Sequence, residues 1–298
     1  MQRAGSTPVS GLYACSLGAI VLLTFSFTPA VHAQTQSILA VNYCSPGTST
    51  LLADFYLPAG ASSPTPIVVE VHAGAWESGN RSNSWALAMY PLLNAAGIGM
   101  MSIDYRLAPT YKFPAQIQDV ACAVRYLRAH ASEYNINPNE IGIFGESAGA
   151  QLALLLGYTS GTPWPMPNQQ WAGYSSSVSA VVDWFGPTNL ANRFQFNATV
   201  QTTIKQTFGP LQRNQQAASP VTYATVNSPP TLILHGINDT TVKIVQSRIL
   251  YAKLSPVTSQ FIEVDDAGHN WTSFASRPMN PGVTQIEQDS ASWFVTHL

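Results

Sequence analysis

Five residues near the middle of the chain form the pattern G-x-S-x-G: Gly145, Glu146, Ser147, Ala148 and Gly149. The pattern follows a short apolar segment that is typical of a buried strand, and it precedes a segment that is typical of a helix. In this context the serine lies on a sharp strand-to-helix turn with its hydroxyl exposed, and the glycines let the strand and the helix approach closely. The sequence therefore predicts Ser147 as a nucleophile.

A serine hydroxyl needs a general base to act as a nucleophile, and the base needs a third group to orient it. Three histidines follow Ser147 in the chain: His235, His269 and His297. His297 is next to the C-terminus, where chains are commonly mobile, and His235 ends a predicted strand. His269 lies in a turn directly after a predicted strand, so we predict His269 as the base.

Asp239 is the predicted acid. It lies in the loop after the strand predicted at residues 231–234, and the 30 residues from Asp239 to His269 are enough for one helix and one strand. The three groups then occur in the chain order serine, acid, histidine, which one widespread hydrolase fold uses. Asp183, at the end of an earlier predicted strand, is the alternative acid.

The segment H-A-G-A-W at residues 72–76 follows a predicted β-branched strand. Small residues in such a loop let backbone N–H groups reach the substrate carbonyl and stabilise the negative charge that develops on its oxygen. Backbone N–H groups of this loop, together with the N–H that follows the nucleophile, are therefore candidates for an oxyanion hole. Alanine at positions 73 and 75 preserves the donors if φ stays negative there.

The elements that must position these residues alternate along the chain. The predicted strands are 51–57, 67–71, 98–103, 140–144, 180–185, 231–234 and 260–264. The predicted helices are 84–96, 117–127, 151–156, 242–254 and 286–295. Such alternation implies an α/β fold with a mostly parallel central sheet and helices on both of its faces.

Two stretches, 161–177 and 189–228, interrupt this alternation, and we interpret both as small lid insertions over the catalytic edge of the sheet. Together with residues near the predicted site, they carry many rings, which predict a closed apolar pocket and a preference for short acyl chains of about two to four carbons. These rings are Trp76, Trp164, Trp171, Tyr174, Phe194, Phe196 and Trp271.

The composition limits the possible functions. The 298 residues are 46% hydrophobic and 9% charged, with a net charge of -2. This is enough apolar material for one sizeable core, and it provides no basic surface for nucleic acid or for an anionic membrane. We therefore predict neither nucleic-acid binding nor stable membrane insertion, and the sequence specifies no oligomeric state.

The first 33 residues have the layout of a secretory signal peptide. Arg3 is their only ionised side chain, an apolar stretch covers residues 17–27, and Val31-His32-Ala33 resembles a cleavage site. The apolar stretch is shorter than the roughly 20 residues that span a bilayer. We predict cleavage after Ala33, a mature domain at residues 34–298, and a secreted or periplasmic location.

Two cysteines, Cys44 and Cys122, lie beyond the predicted cleavage site. An oxidising compartment permits a disulfide between them. Cys122 lies on an apolar helix face, however, where a buried thiol behaves as a small hydrophobic residue. We therefore expect Cys122 to be a free thiol.

Four segments in order resemble the hormone-sensitive-lipase-like and BD-FAE-like esterases: H-A-G-A-W at 72–76, D-Y-R-L-A-P at 104–109, G-E-S-A-G at 145–149 and H-G-x-x-D-x-x-V at 235–242. The resemblance extends from about Leu51 to the C-terminus. It implies an α/β-hydrolase fold, hydrolysis of small-molecule carboxylic esters, and no cofactor or metal.

Carried over residue by residue, the resemblance makes Ser147 the nucleophile, Asp239 the acid and His269 the base, with an acyl-enzyme intermediate on the serine. It also implies that the backbone N–H groups of Ala73, Gly74 and Ala148 form the oxyanion hole. It implies that residues 104–106 brace the neighbouring loop and have no chemical role. A peptidase, an amidase or formamidase of the same fold, and a non-catalytic binding relative are the alternatives, since one fold hosts many functions.

Overall fold

The computed structural model describes residues 35–159, 170–256, 258–273 and 277–298. The predicted signal peptide, residues 1–33, lies outside these residues, as do residues 161–169 of the first predicted insertion. None of the helices in the described ranges has the length and apolar character needed to cross a membrane.

Eight strands of the described chain form one sheet. They are β1 (Thr35–Cys44), β2 (Leu51–Pro58), β3 (Thr65–Val71), β4 (Gly99–Ile103), β5 (Ile136–Glu146), β6 (Ala180–Trp184), β7 (Thr231–Gly236) and β8 (Ser259–Val264). Their order in the sheet is β1-β2-β4-β3-β5-β6-β7-β8. Strand β2 pairs antiparallel with β1 and with β4, and all other neighbours are parallel. The predicted mostly parallel sheet is confirmed.

Helices cover both faces of the sheet. They are α1 (Ser84–Ala95), α2 (Ala115–Ala129), α3 (Ala148–Thr159), α4 (Ala198–Phe208), α5 (Gln212–Ala217), α6 (Val245–Tyr251) and α7 (Val283–His297). Successive residues of a strand point to opposite faces, so Val68 of β3 packs in one core cluster with Phe294 of α7, while Val69 packs in the other with Val124 of α2 and Leu152 of α3. The sheet therefore separates two hydrophobic cores.

Strand β1 is absent from the sequence-based prediction. It is an edge strand whose residues are mostly exposed or half-buried without regular alternation. Its register with β2 shifts between Ile38 and Val41, and Ala40 has a positive φ of 57°. Such irregularity removes the period-two pattern by which a strand is recognised.

The second predicted insertion contains helix α4, which the sequence analysis did not predict. The Asn197 side chain caps this helix by accepting the backbone N–H of Val200 at 2.9 Å. Val200, Ile204 and Phe208 recur every four residues and are buried against the main core. A narrow apolar stripe therefore anchors a helix whose other residues are largely Gln and Thr.

The expectation of a free thiol at Cys122 is wrong. Cys44 and Cys122 form a disulfide with 6.4 Å between their Cα atoms, across a sequence separation of 78 residues. The bond ties the end of β1 to α2. Burial at a helix face suits a half-cystine as well as a thiol, so the apolar surroundings did not discriminate between them.

Candidate active site

Ser147 occupies the turn between β5 and α3 with a positive φ of 50°. This left-handed conformation costs a non-glycine residue roughly 1–2 kcal/mol. The backbone N–H of Ser147 donates to the carbonyl of Trp184 at the end of β6, at 2.9 Å. The strained turn is therefore held by the neighbouring strand, as the nucleophile prediction requires.

The two glycines of the motif are required by close contacts. A Cβ atom at Gly145 would lie 2.5 Å from the backbone of Gly149. A Cβ atom at Gly149 would lie 1.9 Å from the carbonyl oxygen of Val71 on β3. Side chains at these positions would separate the helix from the sheet.

The structure brings the three predicted triad residues together. The Nε2 atom of His269, in the turn after β8, lies 3.0 Å from the Ser147 hydroxyl oxygen. The Nδ1 atom of the same ring lies 2.7 Å from Asp239 Oδ2. The carboxylate accepts from Nδ1–H, which leaves Nε2 free to accept the serine proton. The ring of Phe185 packs 4.7 Å from the imidazole.

Asp239 is buried at the start of the loop after β7, and both of its carboxylate oxygens accept hydrogen bonds. Oδ1 accepts the backbone N–H groups of Thr241 (2.8 Å) and Val242 (2.9 Å). Burial alone would raise the pKa of Asp239, but hydrogen bonds from His235 and His269 outweigh it and hold that pKa well below its usual range. The carboxylate is therefore ionised in the neutral pH range.

A second imidazole also contacts this carboxylate. His235 is buried, and its Nε2 atom lies 2.8 Å from the carbonyl of Val242 and 3.2 Å from Asp239 Oδ2. Because a carbonyl only accepts, Nε2 carries the hydrogen, and Nδ1 accepts from the Ser247 hydroxyl at 2.7 Å. Sequence analysis considered His235 only as a rival base, although its spacing of four residues from Asp239 was a signal for this contact.

The alternative acid, Asp183, does not contact His269 among the described residues. Its Oδ1 atom accepts the backbone N–H of Gly186 at 2.8 Å. Burial raises the pKa of Asp183 to about 6, despite that hydrogen bond. The geometry thus favours Asp239 over Asp183 as the partner of the base.

The prediction that Ala73 contributes to the oxyanion hole does not fit the structure. The N–H of Ala73 donates to the Glu146 carboxylate oxygen Oε2 at 3.2 Å, so it is not available to a substrate. The N–H groups of Gly74, Ala75 and Ala148, in contrast, donate to no acceptor in the described part of the protein. These three groups are the better candidates for the oxyanion hole.

The backbone of this loop adopts positive φ angles. Gly74 has φ 122°, and a Cβ atom there would lie 2.0 Å from the Ser78 carbonyl oxygen, so only glycine fits. Ala75 has φ 53° and Trp76 has φ 62°. The condition of a negative φ at position 75 is therefore not met, and the loop is strained at two non-glycine residues.

Contacts from two sides hold the strained loop. The indole of Trp76 is buried, donates to Gln151 Oε1 at 2.9 Å and meets the Phe208 ring edge-on at 4.9 Å. On the other side, Tyr105 stacks on the His72 ring at 4.2 Å and donates its hydroxyl to the His72 carbonyl at 3.0 Å. This second contact agrees with the predicted bracing by residues 104–106.

The two charged residues beside Tyr105 form ion pairs. Asp104 pairs with Arg81 at 2.7 Å, and Arg106 pairs with Asp119 at 2.7 Å. Both pairs lie within the loop and helix that flank the active-site edge. They fix the path of the chain around Tyr105 and contact none of the three triad side chains in the described residues.

Most of the rings that motivated a closed pocket have other roles. Trp76, Phe196 and Trp271 are buried in the hydrophobic cores. Trp171 donates its indole N–H to the Tyr43 carbonyl at 3.1 Å and packs on α2. Phe194 is 88% exposed, and Trp164 lies outside the described residues. The ring next to the base belongs instead to Phe185, which the sequence analysis did not identify because an apolar residue at a strand end carries no chemical signal.

Comparison with known proteins gives a consistent set of relatives. The family model BD-FAE matches residues 53–254. Esterase LipC of Mycobacterium tuberculosis is 31% identical over 226 residues, which cover 70% of this chain and 54% of LipC. The probable carboxylic ester hydrolase LipM of the same organism is 29% identical over 246 residues, covering 78% of this chain and 55% of LipM. The chain thus spans about half the length of these curated relatives.

A solved structure matches almost end to end. A truncated form of a carbohydrate esterase from gut microbiota has a TM-score of 0.73 and 29% identity, and the match covers 90% of this chain and 98% of that one. The family model covers more than half of this chain, and the chain therefore belongs to the BD-FAE family and has the α/β-hydrolase fold.

Proposed function

We propose that the protein is a serine esterase that hydrolyses small-molecule carboxylic esters. One observation carries this proposal: the His269 ring bridges the Ser147 hydroxyl (3.0 Å) and the Asp239 carboxylate (2.7 Å). Nucleophile, base and orienting acid are thereby in hydrogen-bonding contact, as acyl transfer requires. The named esterases among the relatives support the same reaction class.

The geometry suggests a two-stage reaction. Ser147 Oγ attacks the ester carbonyl while His269 Nε2 takes the serine proton, and the oxyanion receives hydrogen bonds from the N–H groups of Gly74, Ala75 and Ala148. His269 then protonates the leaving alcohol, and an acyl group remains on the serine. Water that is deprotonated by His269 releases the carboxylic acid and restores the enzyme.

We further propose carbohydrate esters with short acyl groups, of about two to four carbons, as the substrate class. The carbohydrate esterase among the similar structures favours a sugar alcohol as the leaving group. The Phe185 ring beside His269 is fully buried and supports the imidazole from behind, so the preference for short acyl groups rests on the aromatic residues of the sequence. We also propose that residues 1–33 are a signal peptide and that the protein is secreted or periplasmic. Carbohydrate esters outside the cell are accessible only to an exported enzyme.

The test compares wild type with Ser147→Ala on 4-nitrophenyl esters from acetate to palmitate, on acetylated xylose, and on matched 4-nitroanilides. We expect Ser147→Ala to lower kcat by about six orders of magnitude. We also expect kcat/KM to peak at two to four carbons, and the anilides to react far more slowly. A variant that keeps a tenth of wild-type activity would refute Ser147 as the nucleophile, whereas faster anilide hydrolysis would indicate an amidase.

A further inference from the structure

Two buried carboxyl groups lie directly behind the proposed nucleophile. Glu146 is the last residue of β5, next to Ser147, and Glu70 lies on the adjacent strand β3 on the same face of the sheet. Both side chains are fully buried, and their carboxyl groups are in hydrogen-bonding contact with each other. Two ionised carboxylates in contact repel each other, so the contact requires a proton on at least one of them.

Hydrogen-bond donors around Glu70 indicate a second proton. Glu70 Oε1 accepts from the Asn83 amide at 2.9 Å, and Glu70 Oε2 contacts the Ser102 hydroxyl. The Ser102 oxygen also lies 2.6 Å from the backbone carbonyl of Arg81. A hydroxyl has one hydrogen and a carbonyl only accepts, so the Ser102 hydrogen goes to Arg81. Glu70 Oε2 must then donate to Ser102, which makes Glu70 a neutral carboxylic acid in this arrangement.

The hydrogen-bond partners of Glu146 indicate that this side chain also carries a proton. Its Oε2 atom accepts the N–H of Ala73. Its Oε1 atom is buried and accepts from no donor in the described part of the chain, which leaves Oε1 to make the contact with Glu70. Oε1 is therefore the atom that carries the proton toward Glu70. When Glu70 loses its own proton, Glu146 still donates to it, so the contact with Ala73 does not depend on the charge of Glu70.

The surroundings of Glu70 and Glu146 favour the protonated, neutral form of each carboxyl group. Burial raises the pKa of both carboxyl groups, that of Glu70 to about 7 and that of Glu146 well above its usual range, and any negative charge on Glu70 raises the pKa of Glu146 further. The guanidinium of Arg81, whose backbone carbonyl contacts Ser102, is already paired with Asp54 and Asp104. The other titratable groups around the pair are Asp104, Tyr105, Tyr56 and His72.

We propose that Glu146 is a positioning residue that works as a neutral carboxylic acid: backed by Glu70, it holds the loop at residues 72–76 through the Ala73 N–H. The contact fixes the two following N–H groups, of Gly74 and Ala75, toward the oxygen of the substrate. This role rests on the proposed esterase function. It explains why the N–H of Ala73 is withdrawn from the oxyanion hole, although the residue lies in the loop that forms it.

Replacement by glutamine and by leucine separates this role from the alternatives. In Glu146→Gln, the amide oxygen still accepts from Ala73 and the amide NH₂ still donates to Glu70, so the neutral acid is mimicked. In Glu146→Leu, a side chain of similar size leaves the Ala73 N–H without an acceptor. The double variant Glu70→Gln, Glu146→Gln removes both ionisable groups. Each glutamine can still accept through its oxygen and donate through its NH₂ group, as the neutral acid it replaces does.

We expect Glu146→Leu to lower kcat about 100-fold and to change KM less than threefold, because the displaced N–H donors act mainly on the charge of the transition state. We expect Glu146→Gln and the double variant to recover kcat to within about fivefold of wild type at pH 7. A residue that only stabilised the fold would change the melting temperature without this split between kcat and KM. Circular dichroism and melting temperature check that each variant is folded.

The outcomes separate the inference from the proposed function. If wild type hydrolyses no ester, or Ser147→Ala retains activity, the esterase proposal fails. If wild type is active and Glu146→Gln loses as much kcat as Glu146→Leu, an ionised carboxylate is required and the inference is wrong. If Glu146→Leu is folded and keeps wild-type kcat, the Ala73 contact does not position the loop. If Glu146→Leu does not fold, the double glutamine variant decides alone: full loss of kcat overturns the inference, and recovery supports it.

Discussion

Replacing Asp239 and Asp183 separately by asparagine tests which of the two carboxylates orients the base. At position 239, the backbone N–H groups of Thr241 and Val242 both point at Oδ1. The asparagine side chain must therefore place its oxygen there and its NH₂ group at the site of Oδ2. That NH₂ group faces His269 Nδ1, which can then only accept a hydrogen bond.

The consequence for catalysis follows from the tautomer of the base. With Nδ1 accepting, the proton of neutral His269 lies on Nε2, which faces Ser147 and can no longer take the serine proton. Such a change in the orienting acid of a serine triad lowers kcat about 10⁴-fold, equivalent to about 5.4 kcal/mol of transition-state stabilisation. The fold is retained, because the new side chain has the same size and still accepts from both N–H groups, and His235 Nε2–H keeps its hydrogen bond to the Val242 carbonyl.

Asp183→Asn is the matched control. Asp183 is equally buried, its Oδ1 atom accepts from Gly186, and its Oδ2 atom has no hydrogen-bond partner among the described residues. An amide oxygen keeps the contact with Gly186, so we expect kcat to stay within about tenfold of wild type and stability to change by about 1 kcal/mol.

The assay is steady-state hydrolysis of 4-nitrophenyl acetate at pH 8, with circular dichroism and urea unfolding for each variant. A severe loss of kcat for folded Asp183→Asn, together with a mild loss for Asp239→Asn, would reverse the assignment of the acid. Equal, mild losses for both would show that the base is oriented by some other group.

Three further predictions concern stability, measured by urea unfolding. Gly149→Ala should lower the unfolding free energy by about 3 kcal/mol or yield insoluble protein, because the new Cβ would lie 1.9 Å from the Val71 carbonyl oxygen; a wild-type midpoint would contradict the close approach. Replacing Cys44 and Cys122 by serine should cost about 4.5 kcal/mol, given the 78-residue separation that the bond closes, and an unchanged midpoint would show that the thiols are not bonded. Glu70 binds its proton more tightly in the folded protein (pKa about 7) than in the unfolded chain (4.5), so the stability this adds is present below pH 4.5 and is lost as the pH rises to about 7. Subtracting the pH profile of Glu70→Gln from that of wild type should reveal this decline, and a flat difference would contradict the buried acid.

The positions of the triad residues could be predicted because each follows a different strand. The carboxyl ends of parallel strands meet at one edge of a sheet, so Ser147 after β5, Asp239 after β7 and His269 after β8 converge there once the sheet is recognised. The positions of strands β2 to β8 were readable from apolar and β-branched runs, and the spacing of Asp239 from His269 matched one helix and one strand.

The features that were missed depend on contacts between residues far apart in the chain. The N–H of Ala73 is occupied by Glu146, 73 positions later, and no local pattern indicates this bond. The partner of Cys122 lies 78 positions earlier, on the edge strand β1, whose irregular register hides its periodicity. Sequence periodicity describes which face of an element is buried, whereas these contacts depend on how the faces dock.

The side chain of Gln151 links the strained loop at residues 72–76 to the second insertion at residues 189–228. Its Oε1 atom accepts from Trp76 in the loop behind the oxyanion donors, and its Nε2 atom donates at 2.7 Å to the backbone carbonyl of Ala218 in the second insertion. Because the insertion is held through a carbonyl, every amino acid supplies the same acceptor at that position. This bond therefore fixes the backbone path of the insertion at position 218, and the strained loop keeps this support even where exposed side chains of residues 189–228 change.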